Sequence, residues 1–284
     1  MASIDYVFTR DLLDNNRINL QHYLWIEVFG YHIHPTIAAS TSSLPHLRIA
    51  DIGTGTGVWL TDIARRLPVP LTLDGLDISF DAAPPAACLP PNMNLHYFDI
   101  RADVPDTLRG VYDIVHIRLL SFVLQDDEIE RVARNVMQLL KPGGYIQWGE
   151  PDVSSFRIET IDSQAAAGCR HPAAHAALTE LLHVSQAQDS RLKPTWVPKL
   201  PFILESLGLE SVESDVKDAP PDVAMATHSC NLAIHELIAR KTGNHAVREQ
   251  LERIIPLAVR ESREGAFWAF TRWVVVGRMP RGGR

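Results

Sequence analysis

Short unbroken apolar runs alternate along this chain with longer stretches in which apolar residues return every three or four positions. The runs at residues 49–52, 71–79, 94–100, 111–118 and 145–150 each read as a buried strand. Between them, residues 58–67 and 127–140 carry the helical rhythm. An earlier amphipathic helix opens at Asp14-Asn15-Asn16 and continues through Ile18, Leu20, Tyr23, Ile26 and Phe29. Strands alternating with helices predict an α/β fold, a doubly wound parallel sheet that takes its ligands at the carboxyl ends of its strands. The pairs Pro84-Pro85 and Pro90-Pro91 interrupt the rhythm, so a loop is expected where a crossover helix is usual. Past residue 151 the pattern predicts helices over 171–190, 197–207, 222–241 and 245–264. A strand over 209–216 and a long last strand over 267–278 accompany them. The organisation expected is an N-terminal helical cap over 1–48 and a main domain over 49–284, with helical lid insertions at about 153–200 and 219–264.

The first strand runs through three alternate glycines straight into a helix, as Asp51-Ile52-Gly53-Thr54-Gly55-Thr56-Gly57. Glycines let a backbone approach a ligand closely, and the free N–H groups of a helix start favour negative charge there. A dinucleotide fold requires G-x-G-x-x-G/A, and Val58 stands at the last position. A carboxylate at Asp51 would repel a pyrophosphate but accept from an ammonium group. Asp77 ends the second strand, 20 residues beyond Gly57, where an α/β nucleotide fold needs an acid for the ribose hydroxyls. Asp74 is expected to be exposed near the start of that strand.

The glycine corner, Asp77, Asp99 with Ile100 at the end of the third strand, and the helix stop Leu140-Lys141-Pro142-Gly143-Gly144 together resemble the class I S-adenosylmethionine (SAM) methyltransferases. Arg10-Asp11, residues 16–22 and Gln147-Trp148-Gly149-Glu150 narrow the resemblance to methyltransferases of fungal natural-product pathways, a group that also contains velvet-complex regulator-type proteins. The resemblance implies a Rossmann-like, seven-stranded, mostly parallel sheet whose last strand inserts antiparallel between strands five and six. It implies SAM as cofactor, with Asp51, Gly53, Thr54, Gly55 and Gly57 at its methionine end and Asp77 and Ile78 at its ribose. Asp99 and Ile100 fall at its adenine, and Arg118 completes the set.

Composition narrows the partners. A net charge of -7 argues against nucleic acid, and no apolar run reaches membrane-spanning length. Cys88, Cys169 and Cys230 are too scattered for a disulfide framework or a zinc site. Asp5 and Arg10 interrupt the core a signal peptide would need, so a cytoplasmic location is expected. No metal is expected. His32 and His34 have no carboxylate or cysteine at ligand spacing, and His171 with His175 lacks a zincin glutamate. The N-terminal helices offer a surface for a homodimer.

Methyl transfer is in-line displacement, so alignment and water exclusion dominate, and a hydroxyl acceptor gains from a base. His116 on the fourth strand and His228 in the lid are the catalytic candidates, with His22 on the first helix behind them. Tyr23, Trp25, Trp196 and Glu150 are expected to line a pocket for a small-molecule acceptor, with O-methylation the expected outcome. Two other readings stay open: a pathway regulator acting through protein partners, and a SAM-assisted dehydratase or pericyclase that transfers no methyl.

Overall fold

In a computed structural model of the chain, residues 10–161 and 175–282 are described. Helix α1 (Leu12–Phe29) begins earlier than its sequence signal. Asp11 is the N-cap, accepting from the N–H groups of Leu13 and Asp14, and Gly30 closes the helix in the left-handed region. Asp14 is buried in the first turn and accepts from Arg17 Nε at 2.9 Å. A short helix α2 (Pro35–Thr41) leads into β1 (Leu47–Ile52), α3 (Val58–Arg66) and β2 (Leu71–Asp77). Between β2 and β3 (Met93–Tyr97) there is no α-helix, only a 3₁₀ turn at Ala86–Cys88, as the four prolines require. Then come β4 (Tyr112–Arg118), α4 (Ile129–Leu139) and β5 (Leu140–Pro151), which starts directly at the helix stop, with Gly143 at φ +81°.

The second half supplies β6 (Arg157–Thr160), α5 (Ala176–Gln186), α6 (Leu200–Ser206) and β7 (Glu210–Asp218). It ends with α7 (Pro221–Lys241), α8 (His245–Arg263), β8 (Ala266–Ala269) and β9 (Thr271–Arg278). The expected helix over 171–190 thus starts at Ala176 among the described residues, and His171 lies outside them. The last strand is not continuous. It breaks at Phe270, and β8 leaves the main sheet to pair antiparallel with β6 in a separate two-stranded ribbon. All four residues of β8 are buried, as in a strand covered on both faces.

The main sheet has the order β3-β2-β1-β4-β5-β9-β7, with β9 antiparallel to both β5 and β7 and the first five strands parallel. This is the seven-stranded arrangement of the class I methyltransferase fold, with its last strand inserted beside strand five. One face packs α4 and α6 around Val115, Ile117, Trp148 and Leu204, and the other packs α1 to α3 around Trp25, Ile37, Ile49 and Trp59. Helices α5, α7 and α8 bury a cluster of their own, including Leu181, Leu251, Ile254 and Trp268. Asp74 is not exposed. Its side chain is fully buried between β1 and β3, accepting from Arg48 Nε at 2.9 Å and Asn94 Nδ2 at 3.3 Å. Among the described residues no helix is long and apolar enough to cross a membrane.

Candidate active site

The carboxyl ends of β1, β2 and β4 open into a cleft with about 1660 Å³ of empty space, its open mouth included. Asp51 and His116 are register partners on neighbouring strands, so their side chains emerge on the same face. Asp51 Oδ1 lies 2.6 Å from His116 Nδ1, and its Oδ2 accepts from Thr54 Oγ1 at 2.8 Å. The His116 ring stacks on Trp59, the second residue of α3, with centroids 3.8 Å apart and planes 4° from parallel. Burial pushes the His116 imidazole down, although Asp51 opposes the shift. The ring is therefore uncharged at neutral pH, with Nδ1–H donating to Asp51.

The glycine turn is anchored from outside. Asp77 accepts from Gly55 N at 2.9 Å, Ile78 N at 2.7 Å and Ser79 N at 3.2 Å, while its burial pushes the carboxyl up. Gly55 sits at φ +53° on the cleft wall, a conformation that strains any residue with a Cβ. Gly57 does not reach the cleft. It caps α3 at φ +70°, and a Cβ there would stand 2.9 Å from Met93 Cε. Asp99 closes a turn after β3 by accepting from Arg101 N at 2.9 Å. Asp99, Ile78 and Ile100 also line the cleft.

Helix α1 roofs this edge. Thr56 Oγ1 donates to Asn19 Oδ1 at 2.6 Å, tying α1 to the glycine turn, and Ile18, Gln21, Leu24 and Trp25 face the cleft. Trp25 approaches β5 at Gly149, where a Cβ would stand only 2.9 Å from its ring. Arg118, also on the cleft wall, donates from Nη2 to His22 Nδ1 at 2.9 Å, and burial pushes its guanidinium down to about 10.

His22 in turn meets Asp62 of α3 at 3.1 Å, and His32 meets the same oxygen at 2.6 Å. The fold therefore supplies His32 with the carboxylate partner that its sequence neighbourhood lacks. The cluster of His22, His32 and Asp62 is compact enough to hold an ion, but its hydrogen bonds answer otherwise. Because His22 Nδ1 accepts from Arg118, Nε2 carries the proton and donates to Asp62, leaving that ring no lone pair for a metal.

Several expected site residues stand elsewhere. Tyr23 points outward from α1 and is 49% exposed. Trp196 is 1% exposed and packs edge-on against Trp148 in the core under α6, on the sheet face away from Trp25. His228 is enclosed between α7, α8 and β8. Its Nδ1 accepts from Trp268 N at 3.2 Å, and its Nε2 pairs with Ser262 Oγ at 2.7 Å, so both ring nitrogens are occupied. Glu150 is fully buried beneath the cleft rather than facing it. It accepts from Leu120 N at 2.8 Å, Ser121 N at 2.9 Å and Trp148 Nε1 at 2.9 Å. It thereby holds the turn after β4, where Leu119 adopts φ +62°.

Trp59, Asn231 and Arg272 line the cleft without having been singled out in the sequence. A signal for Arg272 was available: it is an isolated charge opening the apolar strand Trp273-Val274-Val275-Val276.

Residues 49–144 match the family model described as a methyltransferase domain. Methyltransferase grgD of Penicillium sp. is 31% identical over 273 residues, covering 89% of this chain and 88% of its own. The N-methyltransferase tcpN of Claviceps purpurea is 34% identical over 150 residues, 52% of this chain and 53% of its own length. Among solved structures, a Galdieria sulphuraria protein provisionally described as a sarcosine dimethylglycine methyltransferase superposes with a TM-score of 0.52 at 15% identity. The match spans 97% of this chain and 93% of that one.

Proposed function

Since this chain belongs to the SAM-dependent methyltransferases, we propose that it methylates a heteroatom of a small natural-product molecule seated between α1, α7 and the carboxyl edge of the sheet. The observation that carries the reading is the shape of the cleft. One end gathers Asp51, Asp77 and Asp99 around the glycine turn, and the other is walled by Phe156, Ile234 and Phe270. A concave site of that kind, apolar with a few placed polar groups, suits a small organic ligand better than a protein tail.

The residues present fit SAM. Gly55 brings backbone to the cleft wall at a φ that strains any residue with a Cβ, and the Asp51 carboxylate on the same wall suits an ammonium group. Asp51 and the glycine turn would hold the methionine end, Asp77 the ribose, and Asp99 with Ile100 the adenine. Bound SAM supplies an electrophilic methyl group on a sulfonium centre. Asp77 already fixes the glycine turn through Gly55 N, so the turn is organised in advance. Trp25 and Leu24 of α1 close the cleft against water. Asp51 holds the His116 ring through Nδ1, which leaves the Nε2 lone pair to take the acceptor's proton.

Oxygen is the acceptor atom expected from this His116–Asp51 pair, because a hydroxyl gains most from a base. The similarity to the N-methyltransferase tcpN favours nitrogen as the second reading. Incubation with SAM carrying a ¹³C-labelled methyl, together with extracts of a producing and a deletion strain, tests both. Carbon chemical shifts of the labelled product separate O-methyl from N-methyl. Label found only on protein, or nowhere while SAM binds, would sink the small-molecule reading and favour a regulator or a non-methylating enzyme.

A further inference from the structure

The two ends of the cleft differ in how their charges are paired. At the glycine turn Asp51, Asp77 and Asp99 share the wall with Arg10, Arg101 and Arg118, whereas the far end, where β9 begins and α7 crosses it, contains Arg272 and, among the described residues, no lining carboxylate. Arg272 is 3% exposed, and its guanidinium lies 4.0 Å over the ring of Phe270, which itself stacks on Phe156 at 4.6 Å. Its Nη1 donates to Phe270 O at 3.2 Å. Among the described residues no carboxylate forms an ion pair with it. Asp218, the acid whose charge it feels, is engaged by Arg157 at 2.9 Å and Thr271 at 2.8 Å. Burial pushes the guanidinium down to about 10, so it remains a cation at neutral pH. A buried cation with one carbonyl and one aromatic face for partners, and no carboxylate, is costly unless something completes it.

Two further observations point the same way. Asn231 Nδ2, on α7 and on the cleft wall, is buried without a hydrogen-bond partner, and so is Trp268 Nε1. Both residues line a smaller space of about 450 Å³ that adjoins the cleft and shares Phe122, Phe156, Asn231 and Ile234 with it. Thr227 adds no further donor, because its hydroxyl proton goes to Val223 O at 2.8 Å. The two buried side-chain atoms without a partner here, the Asn231 amide N–H and the Trp268 indole N–H, are donors, as is the guanidinium fork. Their complement is an acceptor oxygen, and the fork matches a carboxylate best.

We propose that Arg272, with Asn231 on the same cleft wall, anchors an acceptor subsite that recognises a carboxylate on a flat, largely apolar molecule packed against Phe156 and Ile234. The inference rests on the methyl-transfer reading, since it concerns the molecule that receives the methyl group. It gives the acceptor a charged anchor at the end of the cleft away from the glycine turn, which orients the acceptor before reaction.

The test uses the full chain saturated with S-adenosylhomocysteine and two probes of the same shape, 2-naphthoate and 2-naphthalenemethanol, titrated by calorimetry. Naphthoate is expected to bind at least about tenfold more tightly, a difference that Arg272→Met abolishes and Arg272→Lys partly restores. Equal affinities in the unmodified protein, no binding of either probe, or a preference that survives Arg272→Met each overturn the inference. So does a loss of S-adenosylhomocysteine affinity in Arg272→Met with the preference intact, which would assign the guanidinium to the cofactor's own carboxylate. The measurement on the unmodified protein decides the matter even if Arg272→Met fails to fold. Failure to bind S-adenosylhomocysteine at all would instead remove the methyltransferase reading on which the inference stands.

Discussion

Glu150 offers a direct contest between burial and hydrogen bonding. Three donors, the N–H groups of Leu120, Ser121 and the Trp148 indole, favour its carboxylate, while complete burial favours the neutral acid. Burial wins, and the carboxyl rises from its ordinary 4.5 to about 7. Between those two values the folded chain holds a proton that the unfolded chain has released, so this group lowers stability as pH rises through the window. At about 1.36 kcal/mol per pK unit, ionised Glu150 costs the fold about 3 kcal/mol above the window.

Glu150→Gln keeps the shape and removes the titration. The glutamine carbonyl can keep the bonds from Leu120 and Trp148, and its amide turns a donor toward Ser121 N–H, as the protonated acid does. The variant should therefore match the unmodified protein near pH 5 and exceed it by about 3 kcal/mol near pH 8. Burial lowers His22 and His228 to about 4 and His235 to about 3. Their neutral rings add stability as pH rises toward 6.5 and lose it as pH falls, but they do so in both proteins and cancel in the difference. Urea unfolding followed by tryptophan fluorescence at the two pH values measures it. A variant less stable than the unmodified protein near pH 8 would refute the reasoning, because the three hydrogen bonds would then outweigh burial.

Asp77→Ala should weaken S-adenosylhomocysteine by more than about tenfold in calorimetry, because it removes the acceptor proposed for the ribose and also frees Gly55 N from its anchor. Unchanged affinity would separate Asp77 from the cofactor. Trp196→Ala should cost about 3–5 kcal/mol of stability in denaturant unfolding, as for a large core aromatic, with cofactor affinity retained in the folded fraction. Trp25→Phe, by contrast, should raise the acceptor's KM with the melting temperature nearly kept, since Trp25 lines the cleft. A fall in melting temperature with KM unmoved would leave Trp25 a packing role alone.

The parts of this protein legible in its sequence are those whose physics is local. A strand that turns through alternate glycines into a helix is specified by adjacent residues, and so are the acids closing the next two strands. Once the strands pair in register, Asp51, Asp77 and Asp99 converge with no further information needed. The direction in which a side chain faces beyond that edge is another matter, because it depends on which layer covers which face. On β5, Ile146 and Trp148 face the core under α6, so strand alternation turns Glu150 the same way, into the protein and beneath the cleft. Trp196 is drawn into that core as well, edge-on against Trp148. On β9 the same alternation sets Arg272 with Val274 and Val276 on the face that α1 roofs, which turns a lone strand charge into a cleft residue. Asp62 and His32 are 30 residues apart, and only the packing of α3 against α1 and the segment after it brings them together. Sequence rhythm determined the sheet and its acid-lined carboxyl edge, because those depend on neighbours along the chain. The choice between buried and cleft-facing polar groups was left to tertiary packing, because the cost of burying each one depends on partners the chain brings from far away.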